Sequence, residues 1–335
     1  MDFDINTIRQ QFPALNKQAI FFDNPGGTQI AKPALERIIS YLTETNANHD
    51  GAFATSIASD AIIDTTRQAV ADFFNAKQPE EIVFGANMTS LTLHISRSLA
   101  RTWNSGDLIV VTRLDHDANV TPWVLAAEDR GCKVKYIDFN LEQGTLEIEK
   151  LATALEEKPR LVAVGYSSNA LGTINPVREI TKMAHASGAL VYVDAVHYAP
   201  HGSIDVQHLE CDFLVCSAYK FFGPHVGILY GRFDLLDELN AYKVRPASST
   251  PPGKFETGTQ NFEGIAGLLG ALEYLEWLGE NYGTAQINSG TSNRRHRLKQ
   301  AMSRIQDYES KLSLHLLEVL EETPGVVIYG LRDQS

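Results

Sequence analysis

Cysteine is scarce in this chain. There are three among 335 residues, Cys132, Cys211 and Cys216, with no C-x-x-C spacing. An odd, scattered set builds no disulfide framework and fits a reducing compartment, so a cytoplasmic setting is expected. Basic residues are also in short supply: 29 Lys and Arg stand against 41 Asp and Glu, a net charge of −12, and no stretch concentrates the cations. That argues against nucleic-acid backbone binding, which needs a cationic footprint. No window approaches the ~18 unbroken apolar residues of a membrane span. The opening Met1-Asp2-Phe3-Asp4-Ile5 has neither a basic nor an apolar leader segment, so no signal peptide is read there. The G-x-S-x-G elbow of serine hydrolases and the P-loop are missing. His197, His201 and His208, with Asp194, Asp205 and Cys211 around them, match no zinc spacing.

What is present is ordinary globular material, 44% hydrophobic and 21% charged, in a chain long enough for one large core and a smaller second domain. From Glu81 onward, short apolar runs alternate with helical patterns. Ile82–Phe84, Leu108–Val111, Val134–Ile137, Leu161–Val164, Leu190–Val193 and Phe213–Val215 read as strands, and helices are expected near 89–103, 122–130, 148–157 and 177–186. Runs apolar on both faces and separated by helices predict a mainly parallel α/β sheet covered on both sides. Val226–Tyr230 follows a Gly-Pro turn and reads as an antiparallel member. A strong helix is expected over Ile265–Leu278, with Gly264, Gly267 and Gly270 as a close-packing face. No strand-to-helix turn precedes those glycines, so they are not a dinucleotide fingerprint. A long amphipathic helix over 286–321 and a strand beginning at Val326–Tyr329 complete the pattern, and suggest a small α/β domain that is cut short.

In an open α/β sheet, ligands gather at the carboxyl ends of the strands. Lys220 leaves the apolar run Phe213–Cys216 within Ser217-Ala218-Tyr219-Lys220-Phe221-Phe222-Gly223-Pro224. Burial disfavours an ammonium, so this amine can become a nucleophile toward an aldehyde. One strand earlier, Leu190–Val193 runs into Asp194, a carboxylate that needs a partner at the end of an apolar strand. A lysine for an imine and an acid for a pyridinium nitrogen point to pyridoxal 5′-phosphate (PLP). Other strand ends are compatible. Gly85–Ser90 opens a helix whose amides suit a phosphate or simply cap the helix. His116 stacks on a flat ring, relays a proton, or is a surface residue beside Asp115 and Asp117. Asn169 hydrogen-bonds a phenolate or only shapes a turn. His197 lies three residues past Asp194. Ser217 and Tyr219 flank Lys220 with hydroxyls, and Phe255–Asn261 is a polar loop before a helix.

These residues resemble the class V aminotransferases of PLP fold type I, and most closely their cysteine desulfurase and selenocysteine lyase branch. The resemblance runs from about Phe21 to Leu278 through Phe22–Thr28, Asp115–Asn119 with Pro122-Trp123, Ser168–Thr173, Val193–His197, Ser217–Lys220 and Phe255–Asn261. It implies a mainly parallel seven-stranded sheet between helices in a large PLP-binding domain over 20–270, with 1–19 and 271–335 forming a smaller domain. It implies an imine at Lys220, Asp194 on the pyridinium nitrogen and His116 stacked on the ring. Asn169 and His197 approach the phenolic oxygen. Met88, Thr89, Ser217 and Tyr219 hold the phosphate, and Thr259 reaches the phosphate of a neighbouring subunit in a homodimer. His197 stands where the family has glutamine and Tyr219 where it has histidine; both keep hydrogen-bonding capacity. The resemblance puts the family's mobile cysteine and its substrate-gripping arginine beyond Ser335, and none of the three cysteines matches that loop. The implied activity is C–S or C–Se cleavage on a small amino acid. Transamination or another PLP-dependent lysis is an alternative, and so is an impaired PLP binder with a regulatory or scaffold role.

Overall fold

The computed structural model describes residues 3–17, 19–284 and 293–332. The apolar runs become seven strands of one sheet: β1 (Ile82–Gly85), β2 (Leu108–Thr112), β3 (Lys133–Ile137), β4 (Leu161–Gly165), β5 (Leu190–Asp194), β6 (Phe213–Ser217) and β7 (Gly227–Gly231), in the order β1-β7-β6-β5-β4-β2-β3. Neighbours from β6 to β3 pair in parallel, while β7 runs antiparallel to both β6 and β1. The reversal expected after the Gly-Pro turn is therefore present. Every residue of β2, β4, β6 and β7 is buried, whereas edge strand β3 exposes Lys133 and Tyr136 and half-buries Lys135. A lysine-bearing edge discourages further strand pairing.

Alternation along the strands feeds two apolar layers. Ile109, Val111, Ala163, Tyr192 and Val215 meet Leu91, Ile95 and Leu99 of the Met88–Ala100 helix and Trp123 of the Thr121–Arg130 helix. Val110, Val162, Val191 and Leu214 face Ile180 of the Val177–Ala186 helix and Leu268, Leu272 and Leu275 of the Phe262–Tyr282 helix. Each such side chain contributes roughly 1.5–3 kcal/mol when fully buried. The expected glycine face is real. A Cβ on Gly270 would sit 2.3 Å from the Pro33 carbonyl oxygen, so the Phe262–Tyr282 helix touches the backbone of the Lys32–Ser40 helix there.

Three differences from the sequence reading have physical causes or limits. Val326–Tyr329 forms no strand: Val327 and Tyr329 are exposed, and no described strand lies beside them to supply the ladder bonds on which β-propensity depends. The long helix is described as Asn293–Glu322, and the expected start at Gln286 lies outside the described residues. The 21-residue Ala54–Phe74 helix was not anticipated, because its Ser, Thr and Asp content weakens the apolar period until its last turns bury Val70, Phe73 and Phe74.

Candidate active site

The carboxyl ends of β1, β2, β4, β5 and β6 each deliver polar residues to one edge of the sheet. β5 ends in Asp194. β6 ends in Ser217, and a single 3-10 turn, Ala218–Lys220, brings Lys220 over the sheet end. β4 is followed by Ser167 and Asn169, and β2 by Asp115 and His116. β1 is followed by Asn87, whose side chain accepts from the Ser90 amide (2.9 Å) and caps the Met88–Ala100 helix. These ends enclose a cleft of about 250 Å³. Eight residues singled out from the sequence line it: Lys220, Asp194, His116, His197, Asn169, Met88, Thr89 and Tyr219. Ser217 does not line it. Its hydroxyl lies beneath, buried, and accepts from the Met88 amide at 3.0 Å. Thr259 sits on an exposed loop outside the cleft.

Two buried carboxyls, Asp194 and Asp115, share the cleft with the Lys220 amine. Burial pushes the Asp194 carboxyl up to about 7; the Val196 amide, 2.9 Å from Oδ1, opposes this, neighbouring Asp115 adds to it, and Lys220 opposes it. Burial also lifts Asp115 to about 6, against hydrogen bonds from the Thr112 hydroxyl and from Asn119 Nδ2 at 2.7 Å. Burial lowers the Lys220 ammonium, while Asp194 and Asp23 raise it, and its Nζ donates to the Pro25 carbonyl. Burial first, then His201 and Lys220, take His197 down to about 4, so its ring is neutral at pH 7. The His116 Nδ1 accepts from the Ala118 amide at 3.1 Å, which makes Nε2 the protonated nitrogen of the neutral ring.

Several lining residues were missed in the sequence. Asp115 was noted only as a neighbour of His116, although a carboxyl three residues past the apolar strand Leu108–Thr112 was signal enough. Pro25 and Gly26 come from the Phe22–Thr28 segment, which Thr28 ties to the Tyr219 carbonyl through its amide (3.0 Å) and hydroxyl (3.1 Å). Nothing local indicates that a contact 195 positions away would lie over Lys220. A larger hollow of about 620 Å³ adjoins the cleft, sharing Ser167 and His197 and reaching His201, whose Nδ1 lies 2.7 Å from Glu309 Oε2.

PLP fits this donor set. The raised Asp194 carboxyl is what a cationic ring nitrogen would bring down. The helix start brings Thr89, with its amide and hydroxyl, to the cleft for a phosphate, and Lys220 offers the amine that an aldehyde requires.

Comparison with known proteins gives the same answer. The family model of class-V aminotransferases matches residues 20–313. A cysteine desulfurase of Pectobacterium carotovorum subsp. carotovorum is 33% identical over 98% of this chain and 80% of that protein. The apo structure of a cysteine desulfurase from Thermococcus onnurineus NA1 superposes with a TM-score of 0.82 at 28% identity, over 98% of this chain and 81% of the other. A lysine-to-alanine variant of C-DES, with glycine covalently linked to the PLP cofactor, superposes with a TM-score of 0.77 at 26% identity, over 94% and 80% of the two chains.

Proposed function

We propose that this chain, a PLP-dependent enzyme that belongs to the class-V aminotransferase family, cleaves the C–S bond of cysteine, or the C–Se bond of its selenium analogue. The observation that carries the reading is the convergence of the Lys220 amine and the buried Asp194 carboxyl in one cleft at the sheet edge. Bound PLP supplies an electron sink that eases loss of the substrate Cα proton. The chain supplies the rest. Lys220, with its ammonium disfavoured by burial, holds the cofactor and afterwards moves a proton at Cα. Asp194 keeps the ring nitrogen protonated. His116 covers the ring, and His197 with Asn169 approaches its phenolic oxygen. Thr89 and Tyr219 serve the phosphate directly, while Met88 and Ser217 serve it by fixing the helix start, the Met88 amide donating to the Ser217 hydroxyl.

The destination of the sulfur follows from the cysteines. None of the three lines the cleft; Cys211 and Cys216 are buried, and burial raises all three thiols, which keeps them protonated and unreactive. Sulfur therefore leaves the cleft without an acceptor among them. Either a thiol other than these three takes it, giving alanine and a persulfide, or it departs as sulfide while water completes conversion of the carbon skeleton to pyruvate and ammonia. The second route is kept as a lyase reading because it needs no acceptor thiol. Incubating the PLP-loaded protein with cysteine, with and without an added thiol, and measuring alanine, pyruvate and sulfide tests both. Failure to release any of the three from cysteine or selenocysteine would sink the proposal.

The working unit we propose is a homodimer in the cytoplasm. Phe22, Ile39, Leu42, Phe53 and Ile57 are exposed apolar side chains of the kind a second copy would cover, and Thr259 would then serve the neighbouring phosphate. Sedimentation equilibrium would return twice the chain mass. No described helix is long and apolar enough to cross a membrane. Edge contacts of Phe3 with Tyr282 (5.3 Å) and Tyr308 (5.5 Å) support grouping residues 1–19 with 271–335 as the smaller domain.

A further inference from the structure

β1 is an edge strand: β7 pairs with one side of it, and no described strand pairs with the other. Its outward carbonyl at Ile82 and outward amide at Phe84 are nevertheless satisfied. Arg67 Nη1, from the Ala54–Phe74 helix, donates to Ile82 O at 2.6 Å, and the Phe84 amide donates to Glu256 Oε1 at 2.9 Å. The same two side chains meet in a fork, Nη1 to Oε1 at 2.7 Å and Nη2 to Oε2 at 3.1 Å. The guanidinium also lies 4.6 Å from the Phe84 ring centroid. Their side chains are only 10% and 13% exposed, so this is a dry, bidentate pair rather than a surface ion pair. Arg67 and Glu256 together stand in for a missing neighbour strand.

Their position along the chain gives the pair a use. Phe84 lies four residues before Met88, whose amide starts the helix at the cleft, and Glu256 lies three residues before Thr259. We infer that Arg67 and Glu256 are positioning residues for phosphate recognition. One ion pair fixes the helix start that faces this chain's cleft and, in the same frame, the loop that carries Thr259. The inference rests on the phosphate reading given above for Met88, Thr89 and Thr259. Neither side chain lines the cleft, so the pair acts through the backbone it holds.

The test is Glu256→Gln in the full chain, which keeps an acceptor for the Phe84 amide but removes the charge that holds the fork. PLP binding to the apo-protein should weaken about tenfold or more, the usual consequence of losing a buried charge-assisted bond. Hydrogen exchange of the apo-protein should quicken in residues 84–90 and 255–261 and stay unchanged elsewhere. Arg67→Lys, which keeps a cation near Ile82 and loses the fork, should show the same pattern more weakly, and it replaces the first variant if that one does not fold. Combining Glu256→Gln with Thr259→Ala should weaken PLP less than the two separate losses imply. PLP affinity within about twofold of wild type in both ion-pair variants, or faster exchange throughout the protein, overturns the inference. If Thr259→Ala weakens PLP while Glu256→Gln does not, the pair is not a positioning device and the phosphate reading stands. If neither does, both fall.

Discussion

Replacing Asp194 with asparagine should make the apo-protein more stable while damaging the holoenzyme. The carboxyl stands at about 7 in the fold against 3.8 for an ordinary aspartate, with burial as the main cause. A folded-state pKa above the unfolded one means that the fold disfavours the carboxylate. The penalty is absent below about pH 4, grows as pH rises, and is fully felt above about pH 7. From those two values it amounts to roughly 4 kcal/mol at pH 8 and to less than half of that at pH 5. The attraction to Lys220 is already contained in that value, but a buried asparagine amide carries a desolvation cost of its own, so about 2 kcal/mol of stabilisation is expected at pH 8, shrinking at pH 5. Asparagine keeps an acceptor for the Val196 amide, so the local backbone has no reason to move. Urea unfolding of both apo-proteins at the two pH values reads the difference directly. PLP affinity should move the other way, falling about 10–100-fold because a neutral amide cannot hold the ring nitrogen's charge. An apo variant less stable than wild type at pH 8, or a difference that does not change between pH 5 and pH 8, would refute the reasoning.

Three further outcomes follow from the same geometry. Lys220→Ala should abolish cofactor retention on the peptide containing residue 220 after borohydride reduction and lower turnover by at least about 10²–10⁴-fold, measured by mass spectrometry and sulfide release. In Gly227→Ala, the new Cβ would lie 2.4 Å from the Asn87 carbonyl carbon, which forces the helix start off β7; PLP titration should show weaker binding with little loss of secondary structure by circular dichroism. Combining Cys132→Ser, Cys211→Ala and Cys216→Ala should leave the rate of sulfide release within about threefold of wild type, because none of these three thiols lines the cleft; loss of activity in a folded variant would place one of them in the chemistry.

The order of strands and helices from Ile82 to Tyr230 was legible because fully buried strands read as unbroken apolar runs and their covering helices show a 3.6-residue period. Lys220 and Asp194 were legible for the same reason: a charge that closes an apolar run has no solvated explanation. Asp115 was visible yet undervalued, since its burial depends on how β2 and β4 bring Thr112 and Gly165 against it. Val326–Tyr329 shows the converse, an apolar β-like run that forms no strand because pairing is a property of neighbours.

By itself, then, the order of residues determined which chemistry is present: an amine, an acid, an imidazole and a helix start, each attached to the end of a strand. Only tertiary structure decided that Pro25 lies over Lys220, that Ser217 is spent on the Met88 amide, and that Arg67 and Glu256 close the open edge of β1. Local sequence carries burial and periodicity, because these repeat over a few residues. Contacts between positions almost two hundred residues apart depend on sheet order and helix packing, and no short window of sequence contains them.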